Sequence, residues 1–74
     1  MTIEQLQQFL DSKVILRLSD GEILTARINF VDVEYEDVIV DVVETSNPSK
    51  YRGPKNAVYT VKAGDVVSIE KVPG

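Results

Sequence analysis

The sequence predicts a mainly β protein in which an N-terminal α-helix precedes a five-stranded, strongly bent antiparallel barrel. Eighteen of the 74 residues are Val or Ile, and these β-branched residues favour strands. Asp20-Gly21 separates two runs of alternating apolar and polar residues, a pattern typical of a β-hairpin. The second run is long and changes its apolar phase part-way, as a bulged or bent strand does.

The helix is predicted over about residues 3–11. Thr2 and Gln5 have the spacing of a capping box, which marks a helix start. Apolar residues follow at helical spacing, namely Ile3, Leu6, Phe9 and Leu10. We expect this apolar stripe to cover one open end of the sheet.

A single domain, residues 1–74, is predicted to hold all five strands. They are expected over about residues 13–19, 22–33, 38–44, 57–61 and 66–72. In the second strand the apolar phase includes Phe30 and then switches to Val31, which predicts a bulge or sharp bend at that point. Two prolines, a glycine and two asparagines predict a long loop between the third and fourth strands.

Composition excludes several classes of protein. The chain has no Cys and no His, so it has neither disulfides nor the usual zinc ligands. It has no nucleophile motif and no phosphate-binding glycine loop, so we expect neither an enzyme nor a cofactor. No apolar run is long enough to span a membrane, and the N-terminus lacks the features of a signal peptide, so a cytoplasmic location is expected.

Charge is unevenly distributed. The net charge is −4, which opposes phosphate binding over the whole surface. Residues 32–44 hold six acids and no bases, and residues 45–62 hold four bases and no acids. The acids do not have the spacing of a calcium-binding loop, so no metal site is predicted.

The basic stretch includes Tyr51 and Arg52, an aromatic beside a base in a loop, which is a candidate contact for single-stranded nucleic acid. The alternative is a solvated hairpin tip. Arg17 and Arg27 are expected to face outward and to pair across strands with Glu22 or other acids.

Two segments resemble motifs of the Sm-like (Lsm) family. In residues 18–32, Asp20, Gly21, Ile28, Val31 and Asp32 align with the first family motif without a gap, and the apolar run Val38-Ile39-Val40 follows. Residues 61–69 resemble the second motif. With the helix and the strand order, the resemblance spans nearly the whole chain and implies an Sm-like (SH3-like) barrel.

The resemblance also implies an assembly and a ligand. Family members pair their fourth strand with a neighbour's fifth and close a ring, which here would use residues 57–61 and 66–72. Such rings bind single-stranded RNA, often uridine-rich, around the pore. The residues at the matching positions are Asp32, Tyr35, Asp37, Lys62 and Gly64, with Tyr35 as the stacking group and Asp32 bracing its loop.

Departures from the family pattern concern the nucleotide pocket. Lys62 stands where the family favours Arg, and Lys lacks the planar group that stacks on a base. Asp37 stands where the family favours Asn, and an ionised Asp cannot donate a hydrogen bond. Glu22 replaces a favoured Arg, and Ala26 a favoured Gly.

Three functions therefore stay open. The first is a ring-forming protein that binds or scaffolds single-stranded RNA. The second is an oligomeric protein-interaction scaffold that has the barrel but no working nucleotide pocket. The third is a monomeric SH3-like adaptor that binds a peptide. Two apolar strands at the end of so small a chain would be exposed edges without neighbours, which favours the two oligomers.

Overall fold

A computed structural model describes residues 1–73 and shows a short helix followed by five antiparallel strands, as predicted. The elements are α1 (Ile3–Gln7), β1 (Lys13–Leu18), β2 (Ile23–Asp32), β3 (Asp37–Thr45), β4 (Tyr59–Lys62) and β5 (Val66–Lys71). Short 3₁₀ helices lie at Pro48–Lys50, between β3 and β4, and at Ala63–Asp65, between β4 and β5.

The helix begins as predicted but ends earlier. The Thr2 side chain accepts a hydrogen bond from the Gln5 backbone N–H at 3.2 Å, and the Gln5 side chain accepts one from the Thr2 N–H at 2.9 Å, which confirms the capping box. Helical geometry stops at Gln7, and tighter turns lead to Asp11, whose φ of 64° turns the chain toward β1. As a result Leu10, placed on the buried stripe by the sequence pattern, is 46% exposed.

The Asp20-Gly21 hairpin joins β1 to β2 as predicted. The Gly21 N–H donates to the Leu18 carbonyl at 3.0 Å, and the Leu18 N–H donates to the Glu22 carbonyl at 2.9 Å. Gly21 has a φ of 94°, which residues with a Cβ rarely adopt, so glycine is the residue that closes this loop without strain.

The sheet has the strand order β4-β3-β2-β1-β5, and all its pairings are antiparallel. β4 and β5 therefore lie at its two ends and each has one neighbour. Within residues 1–73 no pairing joins these two strands. No strand of the described chain covers their outer edges, although the N-terminal amine donates a hydrogen bond to the Val66 carbonyl of β5 at 2.8 Å.

The predicted irregularity of β2 is present, but one step earlier than the sequence suggested. Ile28 pairs with Val40 and Phe30 pairs with Ile39, so Asn29 is an extra residue on the β2 side. The apolar phase changes here because an extra residue turns every later side chain to the other face. The phase therefore switches after Ile28 and not after Phe30, and Phe30 is 53% exposed.

One apolar core holds the elements together. Ile3 and Leu6 of α1 are buried in it. The sheet and the β4–β5 turn contribute the rest: Val14, Leu16, Leu18, Leu24, Ala26, Ile28, Val38, Val40, Val61, Ala63 and Val66. Among the buried residues of the described chain, Glu22 is the one with an ionisable side chain.

Candidate functional site

The turn between β2 and β3 carries the exposed aromatic residue that the resemblance identified. The Asp32 carboxylate accepts a hydrogen bond from the Tyr35 N–H at 3.0 Å, so Asp32 does brace the loop. Glu36, with a φ of 55°, completes the turn before β3 begins. The Tyr35 side chain is 70% exposed, so its ring face is accessible to a planar ligand such as a base.

The turn between β4 and β5 lies directly beside it. Lys62 pairs with Asp37 across β3 and β4, and the Ala63 N–H donates to the Glu36 carbonyl at 2.9 Å. Gly64 sits in the 3₁₀ helix that follows, where an added Cβ would have nothing within 4 Å. The structure thus brings the predicted residues of the two turns, Asp32, Tyr35, Asp37, Lys62 and Gly64, to one end of the sheet. We call this set the turn site.

The electrostatics of the turn site are mixed. Lys62 supplies an exposed ammonium group, while the neighbouring β2–β3 turn has the carboxylates of Asp32, Glu34, Glu36 and Asp37. An exposed aromatic ring can stack on a base and an ammonium group can attract a phosphate, but the carboxylates repel a phosphate backbone. The turn site therefore combines one exposed aromatic ring and one ammonium group with four carboxylates.

The other predicted contact, Tyr51 and Arg52, lies in the long β3–β4 loop. Arg52 is exposed. Tyr51 is half-buried, with its ring edge-on to Tyr59 at a centroid separation of 4.9 Å. A cavity of about 320 Å³ beside β4 is lined by both Tyr51 and Lys62, so it connects the long loop with the edge of the turn site.

A second cluster of polar groups was not predicted from the sequence. Glu22 is 3% exposed, and its carboxylate accepts hydrogen bonds from Lys50 Nζ at 2.6 Å, from Tyr51 Oη at 3.1 Å and from the Thr45 hydroxyl. Lys50 Nζ also binds the Asp20 carboxylate at 3.0 Å. We call Asp20, Glu22, Thr45, Lys50 and Tyr51 the Glu22 cluster.

The expected partners of Glu22 are corrected by this geometry. Its cation is Lys50, which lies 28 residues away along the chain, and not Arg17 or Arg27 on the neighbouring strands. Arg27 instead donates to the Asp11 carbonyl at 2.7 Å. The sequence signal for the pairing was the acid-free, basic stretch 45–62, but it did not indicate which acid the loop would reach.

The ionisation of the cluster follows from these contacts. Burial alone would raise the pKa of Glu22, but the hydrogen bonds from Lys50, Thr45 and Tyr51 outweigh it and the pKa is lowered. The hydrogen bond to Glu22 raises the pKa of Lys50. The pKa of Asp20 is lowered mainly by the hydrogen bond from the Glu22 N–H and, to a smaller extent, by the one from Lys50. Burial and the bond to Glu22 raise the pKa of Tyr51 to about 12.

Two further properties of residues 1–73 bear on function. Their carboxylates form no group of three that could hold a metal ion. Nor do they include a helix with the length and apolar character needed to cross a membrane. Comparison with protein-family models, with curated proteins and with solved structures finds no match to this chain.

Proposed function

We propose that this chain is an Sm-like domain that assembles with copies of itself into a ring and binds or scaffolds single-stranded RNA. The observation that carries the proposal is the strand order β4-β3-β2-β1-β5, which leaves β4 and β5 as two free edges of one sheet. In this proposal the sheet is the strongly bent Sm-like (SH3-like) barrel. The two register shifts in the β2–β3 pairing support such a bend, because bulges increase the local twist of a strand.

Assembly follows from the need to pair those edges. An exposed strand edge promotes uncontrolled association, and natural proteins cover it or pair it. If β4 of one copy pairs with β5 of the next, every copy uses both edges, and a rotation that closes gives a ring without free edges. The added contact also compensates for the small core that a chain of 74 residues can bury alone.

RNA binding is proposed at the turn site. Tyr35 is 70% exposed and its backbone is fixed by Asp32, so a base can stack on the ring without displacing another part of the chain. Stacking of this kind contributes about 1–3 kcal/mol per base. Lys62, on the adjoining turn, supplies an ammonium group for the base edge or the phosphate. Repetition of the site around a ring adds these modest contributions together.

A titration of fluorescent oligo-uridine and oligo-adenosine, followed by anisotropy at two salt concentrations, tests the RNA proposal. We expect salt-sensitive binding that is lost in Tyr35→Ala and in Lys62→Ala but retained in Lys55→Ala, a matched removal of an exposed lysine from the long loop. Loss confined to Arg52→Ala would move the contact to that loop. Absence of binding by every variant would refute an RNA function.

The acidic β2–β3 turn favours a second function, an oligomeric protein-interaction scaffold without a nucleotide pocket. Glu34 and Glu36 flank Tyr35 on both sides and repel phosphates. This candidate is supported if the protein is oligomeric and binds neither oligonucleotide. A native mass measurement separates both ring proposals from the monomeric peptide-binding adaptor, because a monomer at micromolar concentration would remove the ring.

A further inference from the structure

The Glu22 cluster joins three parts of the chain that are distant in sequence. Asp20 and Glu22 belong to the β1–β2 hairpin, Thr45 ends β3, and Lys50 and Tyr51 lie in the β3–β4 loop. The side chain of Glu22 is 1% exposed and accepts from all three donors, so its negative charge is compensated inside the protein. The carboxylate therefore attaches the long loop to the first hairpin.

The same loop is attached to β4. Tyr51 lies edge-on to Tyr59, the first residue of β4, with their rings at 88°. The Tyr59 hydroxyl accepts a hydrogen bond from the Gly53 N–H at 2.8 Å. β4 is only four residues long and pairs only with β3 in the described chain, so these loop contacts contribute much of what holds it in place.

The loop and the hairpin also form a groove along β4. β4, from Tyr59 to Lys62, forms part of the wall of the 320 Å³ cavity. Three members of the Glu22 cluster, namely Asp20, Lys50 and Tyr51, also line it, together with Leu18, Ser19 and Asp65. Glu22 contacts Lys50 and Tyr51 directly and reaches β4 through the contact of Tyr51 with Tyr59.

We propose that Glu22 is the positioning residue of a docking groove whose occupant is β5 of a second copy of this chain. This inference rests on the proposed self-assembly and specifies what builds its acceptor side. β5 fits the groove because no described strand pairs with its outer edge and because Val67, at the bulge opposite Arg17 and Leu18, is 65% exposed. Its first residue, Val66, has its carbonyl bonded to the N-terminal amine, so the available edge begins after it. β5 ends in the oppositely charged pair Glu70 and Lys71, and the groove carries charges of both signs, including Lys62 and Asp65.

The ionised form of Glu22 is the one that builds the groove. A neutral side chain at this position weakens the hydrogen bonds from Lys50, Tyr51 and Thr45, and leaves Lys50 paired with Asp20 alone. The loop then becomes mobile, and the wall that it forms must be ordered again when a partner strand binds. That ordering reduces the affinity between copies, so removal of the charge weakens assembly even when each subunit stays folded.

Sedimentation equilibrium of the full chain at pH 7 tests the proposal with Glu22→Gln and with Glu44→Gln as the matched control. Glu44 is an exposed carboxylate of β3, so its replacement removes the same charge without touching the cluster. We expect Glu22→Gln to raise the dissociation constant between copies by about tenfold or more, and Glu44→Gln by less than about threefold. Lys50→Arg should retain assembly and Lys50→Gln should lose it, because only the former keeps a cation beside Glu22.

Amide hydrogen exchange tests whether Glu22 helps to hold β4 in position. In Glu22→Gln the amides of β4 should exchange faster, while those in the β1–β2 pairing keep their protection. A wild-type chain that stays monomeric would overturn the ring and this inference together. A wild-type oligomer with unchanged association in Glu22→Gln would overturn the inference alone. If Glu22→Gln does not fold, Lys50→Gln is the deciding variant, and unchanged assembly there would refute the role of the cluster.

Discussion

Replacement of Glu22 by Gln should lower the free energy of unfolding by about 2 kcal/mol, since it keeps the shape of the side chain and removes its charge. Hydrogen bonds to a charged group contribute about 1.5–3 kcal/mol each, against about 0.5–1.5 for neutral pairs, so the bonds from Thr45 and Tyr51 each lose about 1 kcal/mol. The loss at Lys50 is smaller, because its side chain is 37% exposed and keeps its contact with Asp20.

This destabilisation is measurable and leaves the protein folded. A chain of this length is expected to be stable by about 4–11 kcal/mol, and 2 kcal/mol corresponds to a fall of about 10–15 °C in Tm. Urea unfolding at pH 7, followed by circular dichroism at several protein concentrations, separates the effect on the fold from any effect on assembly. The exposed Glu44→Gln control should stay within about 0.5 kcal/mol of the wild type.

The reasoning fails if Glu22→Gln and the wild type unfold at the same urea concentration. Equal unfolding would mean that the buried carboxylate and its three donors contribute no more than a neutral amide in the same place. It would also fail if Glu44→Gln were destabilised as much, because the effect would then come from net charge and not from the contacts of Glu22.

Three other outcomes are expected. First, because the pKa of Glu22 is lowered from 4.5, its ionised carboxylate stabilises the folded protein above that pH, and this stabilisation is lost as the pH falls through the pKa of the folded state. The difference in unfolding free energy between wild type and Glu22→Gln should therefore narrow below about pH 4.5, and a constant difference would contradict the prediction. Second, because the pKa of Tyr51 is raised to about 12, its neutral phenol stabilises the folded protein below about pH 10, and this stabilisation is lost toward pH 12. Tyr51→Phe should therefore remove an ionisation step near pH 12 from the absorbance at about 295 nm, and an unchanged titration would refute the raised pKa of Tyr51. Third, Gly21→Ala should destabilise the protein by about 1–2 kcal/mol because of its positive φ, and Gly64→Ala, which meets nothing within 4 Å, should be close to neutral in the same urea assay; equal effects would refute the strain at Gly21.

The parts of the fold that depend on short-range chemistry could be predicted from the sequence. Thr2 and Gln5 satisfy each other's backbone across one helical turn, and Asp20-Gly21 closes a hairpin by itself. Such contacts involve neighbours in the chain, so their residue types suffice to identify them. The end of the helix was missed because the left-handed Asp11 that turns the chain has no strong sequence signature.

The parts that depend on long-range geometry could not be predicted. The exposure of Phe30 depends on which residue of β2 forms the bulge, and this is decided by the register with β3. The partner of Glu22 depends on where a loop more than twenty residues later folds back. The proximity of the β2–β3 and β4–β5 turns followed from the resemblance, and antiparallel pairing does bring these two turns to the same end of the sheet.

The contacts of Tyr35 and Tyr51 suit them differently to the proposed RNA binding. Tyr35 has its ring 70% exposed, so a stacked base would add contacts there and break none. Tyr51 already uses its ring against Tyr59 and its hydroxyl on Glu22, contacts worth about as much as the 1–3 kcal/mol that one stacked base provides. A base that displaced Tyr51 would also loosen the proposed assembly groove. The proposed RNA binding and the proposed ring formation would therefore be compatible if the base stacks on Tyr35 and Arg52 contributes only an exposed charge, and they would compete if the base stacks on Tyr51.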